Sequence, residues 1–64
     1  MKIEPNCFDQ KKTYYLTFER DEQILIYTGH DINYIGVIIS FTDKYGQHIA
    51  FHQDDFREAH EVKP

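Results

Sequence analysis

Cysteine is nearly absent from this chain, and tryptophan is missing altogether. With Cys7 alone, no internal disulfide forms and a thiol-rich metal site is excluded. A chain without a disulfide framework belongs in a reducing compartment. Long hydrophobic runs are also lacking. Ile24–Tyr27 and Val37–Ile39 fall far short of the ~20 residues of a membrane span. Met1–Lys12 holds no apolar stretch of signal-peptide length. The expected location is therefore the cytoplasm, with no role for a membrane. No glycine-rich phosphate loop exists, because Gly29, Gly36 and Gly46 stand apart at strand and turn positions. Positive charge is scarce too, with seven Lys and Arg against eleven Asp and Glu, a net charge of −4. Nucleic-acid binding needs cations to neutralise phosphates, so this balance disfavours it but leaves room for a local basic patch.

What remains is a 64-residue chain that is 16% aromatic, with five Tyr and five Phe. That length makes one domain, which buries only ~60% of the surface its unfolded form exposes. Chains this small lean on disulfides, metals or oligomerisation, and of these helpers the composition leaves oligomerisation.

Period-2 alternation dominates from residue 13 onward. Residues 1–12 read as an irregular arm over the core, anchored by Ile3 and Phe8, and residues 13–64 as the domain proper. A first strand spans Thr13–Glu19, with Tyr14, Leu16 and Phe18 on one face. A second covers Gln23–Thr28 and continues unevenly to Ile32. Both of its faces are apolar, Ile24 and Ile26 against Leu25 and Tyr27, which suits a strand covered on both sides. Gly29 within it signals a bulge or a sharp bend. A third strand, Tyr34–Thr42, places Ile35, Val37, Ile39 and Phe41 on its core face. Asp43-Lys44-Tyr45-Gly46 reads as a type I turn with Gly46 left-handed. A fourth strand, Gln47–His52, returns with Ile49 and Phe51 inward. Two readings compete for Gln53–Val62. One is a short helix with capping-box spacing between Asp55 and Glu58. The other, preferred because so short a helix is marginal, is a 3₁₀ turn at Asp54–Phe56 followed by a short strand. The fold class expected is all-β: a small five-stranded antiparallel barrel with an N-terminal arm and a helical turn near 54–58.

Five short strands, a long bent second strand, the Asp-Lys-Tyr-Gly hairpin and an acidic turn before the last strand resemble the small-barrel group of Src-homology-3-like and Sm-like folds. Tyr34–Val62 carries most of the resemblance. It also looks like short barrels of bacteria and their phages. The likeness implies a fold and no more, since neither an Sm-type RNA-binding signature nor an acidic loop paired with Trp is present.

Catalytic chemistry finds little support. His48 and His52 lie four apart on one strand, ~13 Å along an extended chain, too far to share a metal ion unless His30 or His60 approaches across the sheet. Outward-facing polar residues are the better account, so no metal, cofactor or catalytic residue is assigned. Glu19, Asp21 and Glu22 at one turn, and Asp54, Asp55, Glu58 and Glu61 near the C-terminus, read as solvated turn carboxylates. Mimicry of nucleic-acid phosphates by the second group is a weaker alternative. Cys7, between Asn6 and Phe8, reads as an incidental thiol.

Surface aromatics are the strongest lead. Tyr15, Tyr27, Tyr34, Ile38 and Tyr45 are expected on an outer, tyrosine-rich apolar patch that anchors protein contacts. The expected function is a non-catalytic binding module acting on copies of itself or on a larger protein, in the manner of a phage or mobile-element accessory protein. The alternative is a barrel that stacks single-stranded bases on Tyr15, Tyr34 and Tyr45 and holds phosphates with Lys11, Lys12 and Lys44.

Overall fold

A computed structural model describes residues 3–63. Five strands form one antiparallel sheet: β1 (Thr13–Thr17), β2 (Glu22–Asn33), β3 (Gly36–Thr42), β4 (His48–His52) and β5 (Glu58–Glu61). Their order is β4-β3-β2-β1-β5, so β4 and β5 are the edges. Two 3₁₀ turns complete the fold, Pro5–Cys7 in the arm and Gln53–Asp55 between β4 and β5. The all-β antiparallel expectation holds, and residues 53–61 adopt the turn-then-strand arrangement rather than a helix.

Alternation sorts side chains to the two faces of the sheet. Tyr14 and Leu16 of β1, Leu25 and Tyr27 of β2, and Ile39 and Phe41 of β3 enter the core. Ile49, Phe51 and Ala59 pack against it from the edge strands. The sheet curls: Phe18, just past β1, meets Phe51 of β4 with ring centroids 4.7 Å apart. Phe56 joins them from beyond the second 3₁₀ turn, 5.3 Å from Phe18 and 5.5 Å from Phe51. The arm contributes Ile3 and Phe8, both 6% exposed. Phe8 stacks on Tyr27 at 5.2 Å and meets Tyr14 edge-on at 4.8 Å. Beside it, the Asp9 amide donates to the Tyr14 hydroxyl at 2.6 Å.

The pairing of β2 with β3 skips one residue between Tyr27 and Gly29, the bulge that Gly29 signals. The β3–β4 hairpin also follows its sequence signature. Asp43 Oδ1 accepts from the Tyr45 and Gln47 amides, both at 2.9 Å, and Gly46 has φ +81°.

Several expectations are corrected. The first strand ends at Thr17, short of Glu19. The third begins at Gly36, because Tyr34 and Ile35 form the β2–β3 turn. There the Asn33 side chain accepts from the Ile35 amide at 2.9 Å. Ile35 is consequently 57% exposed rather than in the core. The capping box sits at His52 and Asp55, not at Asp55 and Glu58. Finally, β2 is covered on one face only: Leu25 is buried, while Ile24 is 59% exposed. A single curled sheet encloses one core, on the face that Leu25 and Tyr27 share.

Candidate functional site

The outer face of the sheet is set by register. Tyr15 stands opposite Ile24, and Thr13 opposite Ile26, which in turn faces Thr42. Partners in an antiparallel ladder share a face, so Tyr15, Ile24 and Ile26 all turn away from the core. The β3–β4 hairpin leans Tyr45 over the end of this row. Tyr45, Ile24 and Ile26 line an open hollow of about 520 Å³. Tyr45 is 81% exposed, and Lys44 Nζ lies 5.2 Å from its ring centroid. At the other end of the row, the Tyr15 hydroxyl donates to the Glu22 carboxylate. That bond raises the Tyr15 pKa above its ordinary 10.0, helped by desolvation and by the charges of Glu22 and Glu58.

The five residues expected to form one patch are distributed differently. Tyr15 and Tyr45 belong to the outer row around Ile24. Ile38 also faces outward, but between Asp31 and His52, near the opposite end of the sheet. Tyr34 is 99% exposed at the β2–β3 turn. Tyr27 is a correction: it is 4% exposed, stacked on Phe8, with its hydroxyl 3.1 Å from His30 Nδ1. Its pKa is raised, chiefly by burial and next by the neighbouring Tyr14. Alternation could not decide which face of β2 turns inward, since both are apolar. The arm decides it by laying Phe8 on Tyr27. Ile24 and Ile26 are the outer-face apolar residues beside Tyr45 that sequence reasoning missed, and the signal was their place opposite Leu25 and Tyr27.

The lysines of the alternative reading gather near the same end. Lys11 and Lys12, joined by Lys63, which that reading did not include, line a hollow of about 550 Å³ that shares Thr13 with the hollow lined by Lys44 and Tyr45. Lys12 is partly occupied, 3.7 Å from both Asp9 and Glu61.

The histidines separate. His30 meets Tyr27, and His60 Nε2 lies 3.9 Å from Glu58. His52 serves the backbone: its Nδ1 accepts from the Asp54 amide at 3.1 Å, and its Nε2 lies 2.9 Å from the Ile35 carbonyl. Among the described residues no group of three His, Cys, Asp or Glu is placed to hold a metal ion. Cys7 is an exposed free thiol in the first 3₁₀ turn. Among the described residues no helix is long and apolar enough to cross a membrane. No family model, curated protein or solved structure matches the chain.

Proposed function

We propose that this chain is a non-catalytic binding module that acts through protein contacts on the outer face of a small Src-homology-3-like barrel. The barrel reading is supported by the strand order, by the 3₁₀ turn between the edge strands and by the contact of Phe18 with Phe51. The functional reading rests on one observation. Ile24, which a folded monomer leaves 59% exposed, lies in a hollow with Ile26 and Tyr45, flanked by Tyr15. Aromatic and aliphatic side chains grouped around a concavity are the usual anchors of protein interfaces. The partner is a second copy or a larger protein.

Sedimentation at micromolar concentration and affinity capture test this reading with the chain and with Ile24→Lys and Tyr45→Ser variants. The expected result is an association that both variants weaken at least tenfold while keeping the fold. A chain that stays monomeric and captures nothing the variants fail to capture overturns it.

A second reading is favoured by the lysines: Lys11, Lys12 and Lys63 line a hollow adjoining the one that holds Tyr45 and Lys44. There, single-stranded nucleic acid would stack on Tyr15 and Tyr45 and lay its phosphates along the lysines. Binding would be strongest at low salt. A titration with labelled single strands at low salt that shows no binding removes this reading.

A further inference from the structure

We infer that the far half of β2 takes an extended, basic peptide as an added strand along its free edge. The first observation is a mismatch of strand lengths. β1 begins opposite Ile26, whereas β2 runs on to Asn33. The arm covers the next stretch: Lys11 N–H donates to the Tyr27 carbonyl, and Tyr27 N–H to that of Lys12. The Gln10 side chain then donates from Nε2 to the Thr28 carbonyl at 2.9 Å. Beyond Thr28, among the described residues, no strand pairs with this side of β2.

Register identifies the groups left unpaired. Asp43 N–H donates across the hairpin to Gln47, so by alternation Ser40, Ile38 and Gly36 point their backbone toward β2. Their partners there are Gly29, Asp31 and Asn33. The N–H and C=O groups of His30 and Ile32 therefore face away from β3, along the open edge. Among the described residues, only the Ile32 N–H has a local partner, Asp31 Oδ1 at 3.0 Å. An exposed row of this kind is a template for strand addition.

The edge borders a groove of about 880 Å³ between β2 and the arm, with Phe8, Tyr27 and Val37 among its lining. Ile32, 70% exposed, stands at its rim on the same face as Val37. Alternate side chains of an added strand would enter the groove beside Ile32, and Gly29–Asn33 offers about 17 Å of edge.

Charge selects the occupant. Glu4 and Asp9 line the groove, and among the described residues no Lys or Arg does. Lys12 shares Asp9 at 3.7 Å, whereas no described cation pairs with Glu4. A second copy docked edge to edge about a two-fold axis would bring the same carboxylates to the same groove and meet like charge. A peptide alternating apolar and basic residues satisfies both the apolar floor and the acids. This site lies apart from the outer-face hollow and does not depend on it.

The test uses the full chain, amide NMR and a capped hexapeptide of alternating Lys and Val. Two control peptides accompany it: an alternating Glu and Val sequence, and the Lys–Val peptide N-methylated at alternate amides. The Lys–Val peptide should shift the amide resonances of Glu4, His30 and Ile32 and slow exchange of the His30 amide at least tenfold. Both controls should bind at least tenfold more weakly. Ile32→Pro, at an edge position that tolerates proline, should cause the same loss. So should Ile32→Lys, which changes the charge and leaves the backbone donors intact. Equal binding by either control, unchanged binding to Ile32→Lys, or shifts centred on Ile24 and Tyr45 would overturn the inference. Protection of His30 and Ile32 that grows with protein concentration and needs no peptide would assign the edge to a second copy and overturn it too.

Discussion

The imidazole of His52 lies 2.9 Å from the carbonyl of Ile35, and its ring fills the space that a Cβ on Gly36 would need. One edge-strand side chain thereby fixes the turn between two other strands. Because His52 Nδ1 accepts from the Asp54 amide, the proton sits on Nε2 and is donated to Ile35. Gly36 itself has φ +125°, a backbone conformation that L side chains rarely adopt. Gly36→Ala should therefore cost roughly 1–3 kcal/mol, from backbone strain and from displacement of the ring. Urea denaturation would measure it, and an unchanged midpoint would refute the account.

His52→Ala should cost about 1–2 kcal/mol, in the range of lost helix caps, since it removes both the cap on Asp54 and the bond to Ile35. The two substitutions should not add. Without the ring, the methyl group of Gly36→Ala meets less obstruction, and only the backbone strain remains. A double-mutant cycle should show a coupling of about 0.5 kcal/mol or more. Strict additivity would mean that ring and glycine act independently.

The same corner shows why part of the fold was legible in the sequence and part was not. Tyr14 and Leu16, or Ile39 and Phe41, declare their face by alternation alone, and all of them are buried. The Asp43–Gly46 turn declares itself by chemistry. Ile35 misleads because the Tyr34-Ile35 pair carries no turn signal of its own. Its turn is specified by flanking residues, the Asn33 carboxamide and the positive φ of Gly36, and by His52 from another strand. Tyr27 misleads for a tertiary reason, because its burial is completed by Phe8 of the arm. Of the candidate contacts, Tyr15 and Tyr45 could be read from alternation and a hairpin tip. The groove beside β2 could not, since it exists only because β1 and β2 differ in where they end.

Phe8 gives the arm its structural weight. Its ring touches Tyr14, Tyr27 and Phe41 at centroid distances of 4.8, 5.2 and 5.4 Å. Phe8→Ala should cost about 3–5 kcal/mol, the range for buried Phe truncations. In a domain of this size that approaches the whole stability. Thermal unfolding followed by circular dichroism should show a midpoint lowered by well over 10 °C, or no folded baseline. Tyr27, deprived of its stacking partner, should become accessible to acrylamide quenching. A variant with native stability would show the arm to be an ornament on a self-sufficient sheet.

Tyr15 offers a test on the alkaline side. Its hydroxyl donates to Glu22, so ionisation would place a phenolate beside a carboxylate, and the folded-state pKa is raised above 10.0. A group whose pKa is higher folded than unfolded binds its proton more tightly when folded. The contribution is complete below the unfolded value near 10 and is lost as pH rises through the folded one. Absorbance titration of the phenolate band should show Tyr15 and Tyr27 ionising above the ordinary tyrosine value of 10.0. Glu22→Gln removes the carboxylate charge and substitutes a neutral acceptor. It should bring Tyr15 back toward its ordinary 10.0 while leaving Tyr27, whose shift comes chiefly from burial, where it is. If Glu22→Gln left every transition in place, the bond between Tyr15 and Glu22 would not form in solution, and Tyr15 would be freer to turn toward Ile24 and a partner.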